Sequence, residues 1–216
     1  MKKKISVAQA MSKIEDGMTL MIGGFLGCGT PEGMIDALIE KNVKDLTIIC
    51  NDTSFVDKGL GRLVANKQVK KVITSHIGTN RETGRQMNEG ELEVVLVPQG
   101  TLAEQVRAGG AGLGGILTPI GLGTPVEEGK EKITVNGQEF LLETALKADV
   151  ALVHGSIVDD KGNVFYNQAT RNFNPLMATA AEIVIVQAEK IVKAGELDPH
   201  MIMTPSLFVN YVVEEA

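Results

Sequence analysis

Short apolar runs recur along this chain, and glycine, proline and polar residues separate them. They predict buried strands at residues 18–22, 45–50, 69–75, 92–98, 148–158 and 182–192. Helical patterns fall between several of these runs, at residues 31–41, 59–67, 100–110 and 174–181, with a short helix or irregular turn at 81–90. Because this alternation is typical of βαβ units, we expect an α/β fold with an open, mostly parallel sheet and flanking helices.

The clearest boundary signals lie in the stretch LMIGGFLGCGTPEGMIDALIE, where an apolar run leads through glycines into an amphipathic segment. Thr30 is placed to cap this helix, and Pro31 fits its first position. Glu32 favours the positive end of the helix dipole, and Asn42 is a stop signal at the other end. We therefore expect the first long helix to begin at Pro31 with Thr30 as its cap.

Two segments depart from the alternation. Residues 109–129 are rich in glycine and have little periodicity, which predicts a long loop of the kind that is often functional. Asn136-Gly137 lies between two alternating stretches in residues 132–143, a strong β-hairpin signal. The length of 216 residues suits one domain, so we expect residues 1–216 to form a single domain with a small antiparallel hairpin addition.

Composition and charge exclude several classes of function. The chain has 21 basic and 27 acidic residues, a net charge of −6, which disfavours nucleic acid as a partner. It has no apolar run of the roughly 20 residues that a membrane helix needs, and its basic start lacks the apolar core of a signal peptide. Cys28 and Cys50 make no disulfide framework and fit a cytoplasmic protein. His76, His154 and His200 have no metal-ligand spacing, so we expect no metal.

The glycines after the first strand have two explanations. Backbone N–H groups between a strand and a helix N-terminus favour negative charge, so the loop is a candidate site for a phosphate, a pyrophosphate or a developing oxyanion. Gly24, Gly27 and Gly29 lack the G-x-G-x-x-G spacing of dinucleotide sites, and no phosphate-binding lysine follows them. A tight turn that packs the strand against the helix explains these glycines equally well.

The stretch DGMTLMIGGFLGCGTP resembles the signature of family I coenzyme A transferases. The matching positions are Asp16-Gly17, the aliphatic run 20–22, Gly23-Gly24-Phe25, Gly29 and Pro31. The resemblance continues through residues 51–61, 90–115 and 171–175, so it spans almost the whole chain. It looks like the α subunit of the two-chain bacterial type that acts on acetate, butyrate or acetoacetate.

The resemblance implies a reaction and a partner. These enzymes move CoA from an acyl-CoA to a free carboxylate through an anhydride and an enzyme–CoA thioester, and the nucleophilic glutamate lies on the β subunit. Glu32, Glu89 and Glu128 precede glycines here, but none matches the family's nucleophile setting, and we interpret them as surface carboxylates. The chain is thus predicted to be half of an enzyme, paired with a β subunit in an α2β2 assembly.

The resemblance also implies the site residues. Asn51 and Gln99 follow the second and fourth predicted strands, and they match an asparagine and a glutamine that line the family's active site. Neutral amides donate to an oxyanion without adding charge. The family's CoA-binding stretch corresponds here to Gly23, Gly24, Phe25, Leu26, Gly27, Cys28 and Gly29. Acyl-CoA and a short-chain carboxylic acid are the implied substrates, with no tightly bound cofactor.

Other interpretations stay open at the level of sequence. A non-catalytic CoA-binding or scaffold protein, or a standalone isomerase or hydrolase on a similar fold, also fits an α/β sheet. Residues 109–115 either approach a ligand or partner or form a hinge or helix cap. The basic run Lys67–Lys71 either attracts the 3′-phosphate of CoA or is solvated surface. Arg171, in residues 171–175, either pairs with a carboxylate or packs two subunits.

Overall fold

The computed structural model describes residues 3–214. Its strands are β1 (Thr19–Ile22), β2 (Leu46–Ile49), β3 (Val69–Thr74), β4 (Glu93–Leu96), β5 (Gly115–Thr118), β6 (Lys132–Val135), β7 (Gln138–Thr144), β8 (Ala148–Asp159), β9 (Val164–Phe165), β10 (Ala181–Val192) and β11 (Tyr211–Glu214). Its α-helices are α1 (Val7–Met11), α2 (Glu32–Lys41), α3 (Gly61–Ala65), α4 (Arg81–Asn88), α5 (Gln99–Gly110) and α6 (Asn174–Met177). Strands and helices alternate from β1 to α5, as the hydrophobic pattern predicts.

The main sheet has the strand order β11-β10-β8-β1-β2-β3-β4. These neighbours all pair in parallel, and β9 adds a short antiparallel strand to β8. Leu20 in β1 lies opposite Ile48 in β2 and Val150 in β8, so β1 is central. The predicted fold class, an open and mostly parallel sheet with flanking helices, is confirmed.

A second, smaller sheet has the antiparallel order β5-β7-β6. Strands β6 and β7 form the predicted hairpin, and Asn136 and Gly137 at its turn have positive φ angles of 51° and 80°. Strand β5 pairs with β7 from the other side. The prediction of a continuous loop over residues 109–129 was therefore wrong. Helix α5 extends through Gly110, and β5 is stabilised by a partner strand that local periodicity does not reveal.

Buried apolar side chains cover both faces of the main sheet. Along β8, Val150 and Leu152 belong to the cluster that includes residues of α1, α2 and α3. Ala151 and Val153 belong to the cluster on the other face, with residues of α5 and α6. Because both faces are covered, the central strands read as continuous apolar runs in the sequence.

Helix α2 begins one residue later than expected, and a side chain of strand β10 accepts a hydrogen bond from its first turn. Its first residue is Glu32, the preceding proline is its N-cap, and the prediction that Thr30 caps the helix was wrong. The backbone N–H of Met34 instead donates to Oε1 of Gln187, a buried residue of β10, at 2.8 Å. Asn42 ends the helix in the left-handed conformation (φ 58°), which confirms the stop signal.

Several short elements differ from the sequence-based expectation. Helix α1 and strands β9 and β11 were not predicted, and α6 ends at Met177 rather than near residue 181. Ala181 already belongs to β10. Segments this short have little intrinsic stability and depend on packing against the sheet, so local periodicity is a weak guide to them.

The helices are much shorter than a membrane-spanning segment. Helix α5 has 12 residues, against the roughly 20 that a bilayer requires. Across residues 3–214, no helix combines the length and apolar character needed for a transmembrane span.

Replacing Leu152 with alanine tests the central core. Leu152 lies in β8 between β1 and β10, and its side chain is 0% exposed. We expect Leu152→Ala to lower the free energy of unfolding by about 2–5 kcal/mol, because apolar contacts are lost and a cavity remains. Urea denaturation followed by circular dichroism measures this change.

Leu207→Ala is the matched control, since Leu207 is 87% exposed. The same truncation at this position should change the free energy of unfolding by no more than about 0.5 kcal/mol. Equal losses in the two variants would contradict the central position of Leu152.

Candidate active site

A cavity opens at the carboxyl ends of strands β1 to β4. The segments that follow β1, β2 and β3 meet there with the first residue of α5, which comes after β4. The cavity has a volume of about 400 Å³ and is lined by Phe25, Leu26, Asn51, Asp52, Ser75, His76 and Gln99. Ligands of open α/β sheets bind at such edges. Both amides singled out from the sequence lie here, together with two residues of the glycine loop (residues 23–29).

The side chains of Asn51 and Gln99 are in direct contact. Nε2 of Gln99 donates to Oδ1 of Asn51 at 2.7 Å. Asn51 is only 2% exposed, whereas Gln99 is exposed. Oγ of Ser75 donates to the backbone carbonyl of Asn51 at 2.7 Å and so ties this residue to the end of β3. Each NH2 group carries a second hydrogen, so the pair retains N–H donors for a ligand.

Asp52 is a candidate that the sequence analysis missed. Its side chain lines the cavity, and the residue is 4% exposed. Oδ2 accepts from Nδ2 of Asn51 at 2.6 Å and from the N–H of Leu26 at 3.0 Å. Oδ1 accepts from the N–H of Ser54 at 2.7 Å. The available signal was its place directly after Asn51 at the end of a strand.

The electrostatic surroundings of Asp52 are unusual for a buried carboxylate. Buried charges are ordinarily paired with an opposite charge. The three donors to Asp52 are all neutral, and none of the ion pairs among residues 3–214 includes it. Neutral amide dipoles therefore hold this carboxylate in place at the edge of the cavity.

The glycine loop contains a tight turn over residues 25–28. The backbones of Phe25 and Cys28 exchange two hydrogen bonds, of 3.0 and 2.9 Å. The two central residues have positive φ angles, 49° at Leu26 and 84° at Gly27, as a type I′ turn requires. Glycine suits the second of these positions because it has no Cβ.

Most backbone N–H groups of the glycine loop already have partners inside the protein. Gly23 donates to the carbonyl of Leu152 at 3.0 Å, and Gly24 donates to Oδ1 of Asn172 at 3.1 Å. Leu26 donates to Asp52, and the turn uses two more N–H groups. Within residues 3–214, the N–H groups at positions 27 and 29 have no such partner. The loop thus has fewer free donors than an open anion cradle.

Three glycines of the loop allow close approach of the segment 170–174 and of Thr30. A Cβ on Gly23 would lie 1.8 Å from Oδ1 of Asn174, and one on Gly24 would lie 2.3 Å from Oγ1 of Thr30. A Cβ on Gly29 would lie 2.7 Å from the carbonyl oxygen of Thr170. At these three positions the glycines therefore serve packing, which agrees with the explanation of the loop as a tight structural turn.

Three other segments from the sequence analysis lie outside the cavity. Gly109 and Gly110 line a separate hollow of about 420 Å³ at the amino ends of β1, β8 and β10. Lys67 and Lys71, from the basic run, form ion pairs with acidic side chains near β4. Arg171 is exposed, and its neighbours in the chain pack on the glycine loop.

The three glutamates that precede glycines are also outside the cavity. Glu32 pairs with Arg62 and Glu89 pairs with Arg85, while Glu128 is exposed. None of them is among the residues that line the cavity. Over residues 3–214 there is no cluster of three or more side chains suited to hold a metal ion.

Two exposed phenylalanines stand at matching turns beside the cavity. Residues 25–28 after β1 and residues 55–58 after β2 form turns with the same bridge pattern. Phe25 is 43% exposed and Phe55 is 38% exposed. The turns are neighbours, because a Cβ on Gly27 would lie 3.0 Å from Cε of Lys58. Exposed aromatic surface next to a cavity is typical of a ligand or subunit contact.

An open, mostly parallel sheet with a polar cavity at its carboxyl edge defines an α/β protein whose site presents neutral amide donors. A family model described as coenzyme A transferase matches residues 4–215. The chain belongs to the coenzyme A transferase family.

Two relatives cover almost the whole chain. The acetoacetyl-CoA:acetate/butyrate CoA transferase alpha subunit of Clostridium acetobutylicum is 55% identical over 213 residues, which are 99% of this chain and 98% of that protein. The acetate CoA-transferase subunit alpha of Escherichia coli is 54% identical over 214 residues, 99% of this chain and 97% of that protein.

Solved structures of transferases share the fold. The apoenzyme of an acyl-CoA transferase from Escherichia coli O157:H7 superposes with a TM-score of 0.85 and 25% identity over 99% of this chain. This chain spans 47% of that protein, just under half of its length. Glutaconate coenzyme A-transferase of Acidaminococcus fermentans has a TM-score of 0.86 and 21% identity, over 98% of this chain and 75% of that one.

Gly29→Ala tests the packing role of the glycine loop. Gly29 has a φ of 68° and closely approaches Thr170, whereas Gly17 has a φ of 79° and open space where a Cβ would be. Both alanine variants share a cost of about 1–2 kcal/mol for the left-handed conformation. We expect Gly29→Ala to lose about 1–3 kcal/mol more than Gly17→Ala in urea denaturation, because only Gly29 is overpacked by a Cβ. Similar losses in both would refute the packing role.

Thiol reactivity gives an independent check of the site. Cys28 is exposed in the glycine loop, and Cys50 is buried at the end of β2. Burial raises the pKa of Cys50 to about 12, so on the order of one thiol in 10⁴ is ionised at pH 8. We expect Ellman's reagent to modify one thiol per native chain at pH 8 and two in guanidinium chloride. Cys28→Ser should remove the native reaction, and a second rapid thiol would contradict the burial of Cys50.

Proposed function

We propose that this chain is the α subunit of a short-chain acyl CoA-transferase. With a β subunit, it moves CoA from an acyl-CoA to a free carboxylic acid of the acetate, butyrate or acetoacetate type. The observation that carries the proposal is the hydrogen-bonded pair of Asn51 and Gln99, 2.7 Å apart, in the cavity at the strand ends. The two relatives, which are α subunits of transferases for such acids, support the choice of substrate class.

The proposed reaction is covalent catalysis by a carboxylate of the β subunit. A glutamate oxygen attacks the thioester carbonyl carbon, the C–S bond breaks, and CoA leaves as the thiolate with an acyl–glutamyl anhydride behind it. The thiolate then attacks the glutamyl carbonyl carbon and releases the first acid as its carboxylate. The acceptor acid reverses these steps and leaves as its CoA thioester.

The amides of this chain would act on the oxyanion in each step. Attack on a carbonyl carbon puts negative charge on its oxygen, and preorganised N–H donors stabilise that charge. Nδ2 of Asn51 and Nε2 of Gln99 each have one hydrogen beyond those used between residues 51, 52 and 99. Being neutral, these amides leave the attacking carboxylate ionised and reactive.

The composition of the cavity supports a nucleophile from another subunit. Asp52 is the carboxylate among its lining residues, and three neutral donors hold it. The glutamates at positions 32, 89 and 128 line other parts of the surface. We therefore assign the nucleophile to a β-subunit glutamate, in an α2β2 enzyme.

The glycine loop would lie between CoA and the β subunit. Gly23, Gly24, Phe25, Leu26, Gly27, Cys28 and Gly29 form this contact in our proposal. The N–H groups of residues 27 and 29 are the donors left for ligand, and exposed Phe25 and Phe55 offer apolar surface to the partner. CoA is a substrate here, and no tightly bound cofactor is part of the scheme. The two free cysteines agree with a location in the reducing cytoplasm, which is part of the proposal.

Transfer of CoA from acetoacetyl-CoA to acetate tests the proposal. We would assay the chain alone and the chain co-expressed with a β-type partner that carries the glutamate. Activity only in the assembled complex supports the half-site scheme. Turnover by the chain alone would refute the assignment of the nucleophile. A purified complex that binds CoA but transfers it to none of a panel of short-chain acids would favour the non-catalytic binding protein.

Asn51→Ala should lower kcat of the complex by about 10²–10³, the usual effect of losing one donor to an oxyanion. The KM for acyl-CoA should change little, since this donor acts mainly in the transition state. Asn88→Ala is the matched control, because Asn88 is exposed at the end of α4, away from the cavity. An Asn51→Ala complex that assembles and retains wild-type kcat would contradict the role of this amide.

A further inference from the structure

Asp52 is a buried carboxylate that the proposed reaction does not use. It is 4% exposed, and all its described donors are neutral N–H groups. Burying a carboxylate is costly, and an asparagine of nearly the same shape would be cheaper to bury. The presence of an aspartate here must therefore depend on a property that a carboxylate has and an amide lacks.

That property is the direction of its hydrogen bonds, since a carboxylate can be the acceptor but not the donor. An ionised carboxylate only accepts, so the side chain of Asn51 must turn its NH2 group to Asp52, at 2.6 Å. Oδ1 of Asn51 then faces Gln99 and can only accept, so Gln99 must turn its own NH2 group inward, at 2.7 Å. One carboxylate thus fixes the orientation of two amides in series.

The same carboxylate holds the turn of the glycine loop. Oδ2 accepts from the N–H of Leu26 at 3.0 Å, and Leu26 has the strained φ of 49°. Oδ1 accepts from the N–H of Ser54, which has a φ of 54°. Asp52 is therefore the common acceptor of the amide pair and of the backbone that lines the cavity beside it.

We infer that Asp52 is a positioning residue, which fixes the amides of Asn51 and Gln99 so that both present N–H donors to the reacting carbonyl oxygen. This inference rests on the proposed function for its catalytic consequence. The direction of the hydrogen bonds from Gln99 to Asn51 and from Asn51 to Asp52 is a feature of the structure, and it can be tested without the reaction.

Asp52→Asn in the assembled complex is the kinetic test. An amide offers a donor as well as an acceptor, so it no longer dictates the orientation of Asn51. We expect kcat to fall by at least about tenfold, but by less than the roughly 10²–10³-fold loss expected when a donor is removed. The KM for acyl-CoA should stay within about twofold of the wild-type value. Asp45→Asn, the same change at an exposed position just before the amino end of β2, is the matched control and should leave both constants unchanged.

A double-mutant cycle separates positioning from a general loss of structure. In an Asn51→Ala background, Asp52 has no Asn51 amide to orient, so Asp52→Asn should have little further effect on kcat. Multiplicative losses in the double variant would overturn the inference. So would a wild-type kcat in Asp52→Asn.

The side-chain NH2 signals of the ¹⁵N-labelled chain give a readout that does not depend on activity. The signals of Asn51 and Gln99 are identified by their disappearance in Asn51→Ala and Gln99→Ala. We expect both to shift in Asp52→Asn and to stay in place in Asp45→Asn. Unchanged signals in Asp52→Asn would overturn the inference. If the wild-type complex lacks transferase activity, the proposed function fails, while these signals still decide the role of Asp52.

Gln99→Glu provides a second variant if Asp52→Asn does not fold. The substitution sets a second acceptor against Oδ1 of Asn51 and leaves Asp52 intact. If Asp52 controls the orientation, Asn51 keeps its NH2 group on Asp52 and its signals move little. A large shift, as the amide of Asn51 rotates towards the new carboxylate, would overturn the inference.

Discussion

The parallel pairing of strands β8, β1, β2, β3 and β4 is the constraint on which the candidate site depends. In a parallel sheet, every strand ends at the same edge, so the segments that follow the strands converge there. Asn51 and Gln99 are 48 positions apart in the chain, yet their side chains are in contact because β2 and β4 both pair with β3. The apolar runs that form these strands therefore also assemble the polar cavity.

Many of the polar groups at this edge bond to one another. Asn172 and Asn174 bond to the glycine loop from one side, and Asp52 bonds to it from the other. The loop is thereby held rigidly between two polar anchors, with few of its N–H groups left free. Rigid support of this kind suits catalysis, because donors that are already oriented cost no reorganisation in the transition state.

Family membership gives these features a context. The chain matches the coenzyme A transferase model over residues 4–215 and corresponds to just under half of an acyl-CoA transferase of solved structure. The cavity presents amide donors, and the carboxylate of Asp52 at its edge is bound by three neutral donors. Exposed Phe25 and Phe55 beside that cavity are consistent with a site that a second polypeptide completes.

Local sequence was enough for the alternating elements, the hairpin at Asn136-Gly137 and the left-handed stop at Asn42, because each follows from neighbouring residues. The predicted strands placed Asn51 and Gln99 at strand ends, and the family resemblance singled them out as candidate site residues. Contacts between distant segments depended on the strand order, which no local pattern encodes. The cap of α2 by Gln187, the pairing of β5 with β7 and the bonds to Asp52 are all of this kind. Hydrogen bonds act only at short range, so the folded sheet, rather than local spacing, decided which of these groups meet.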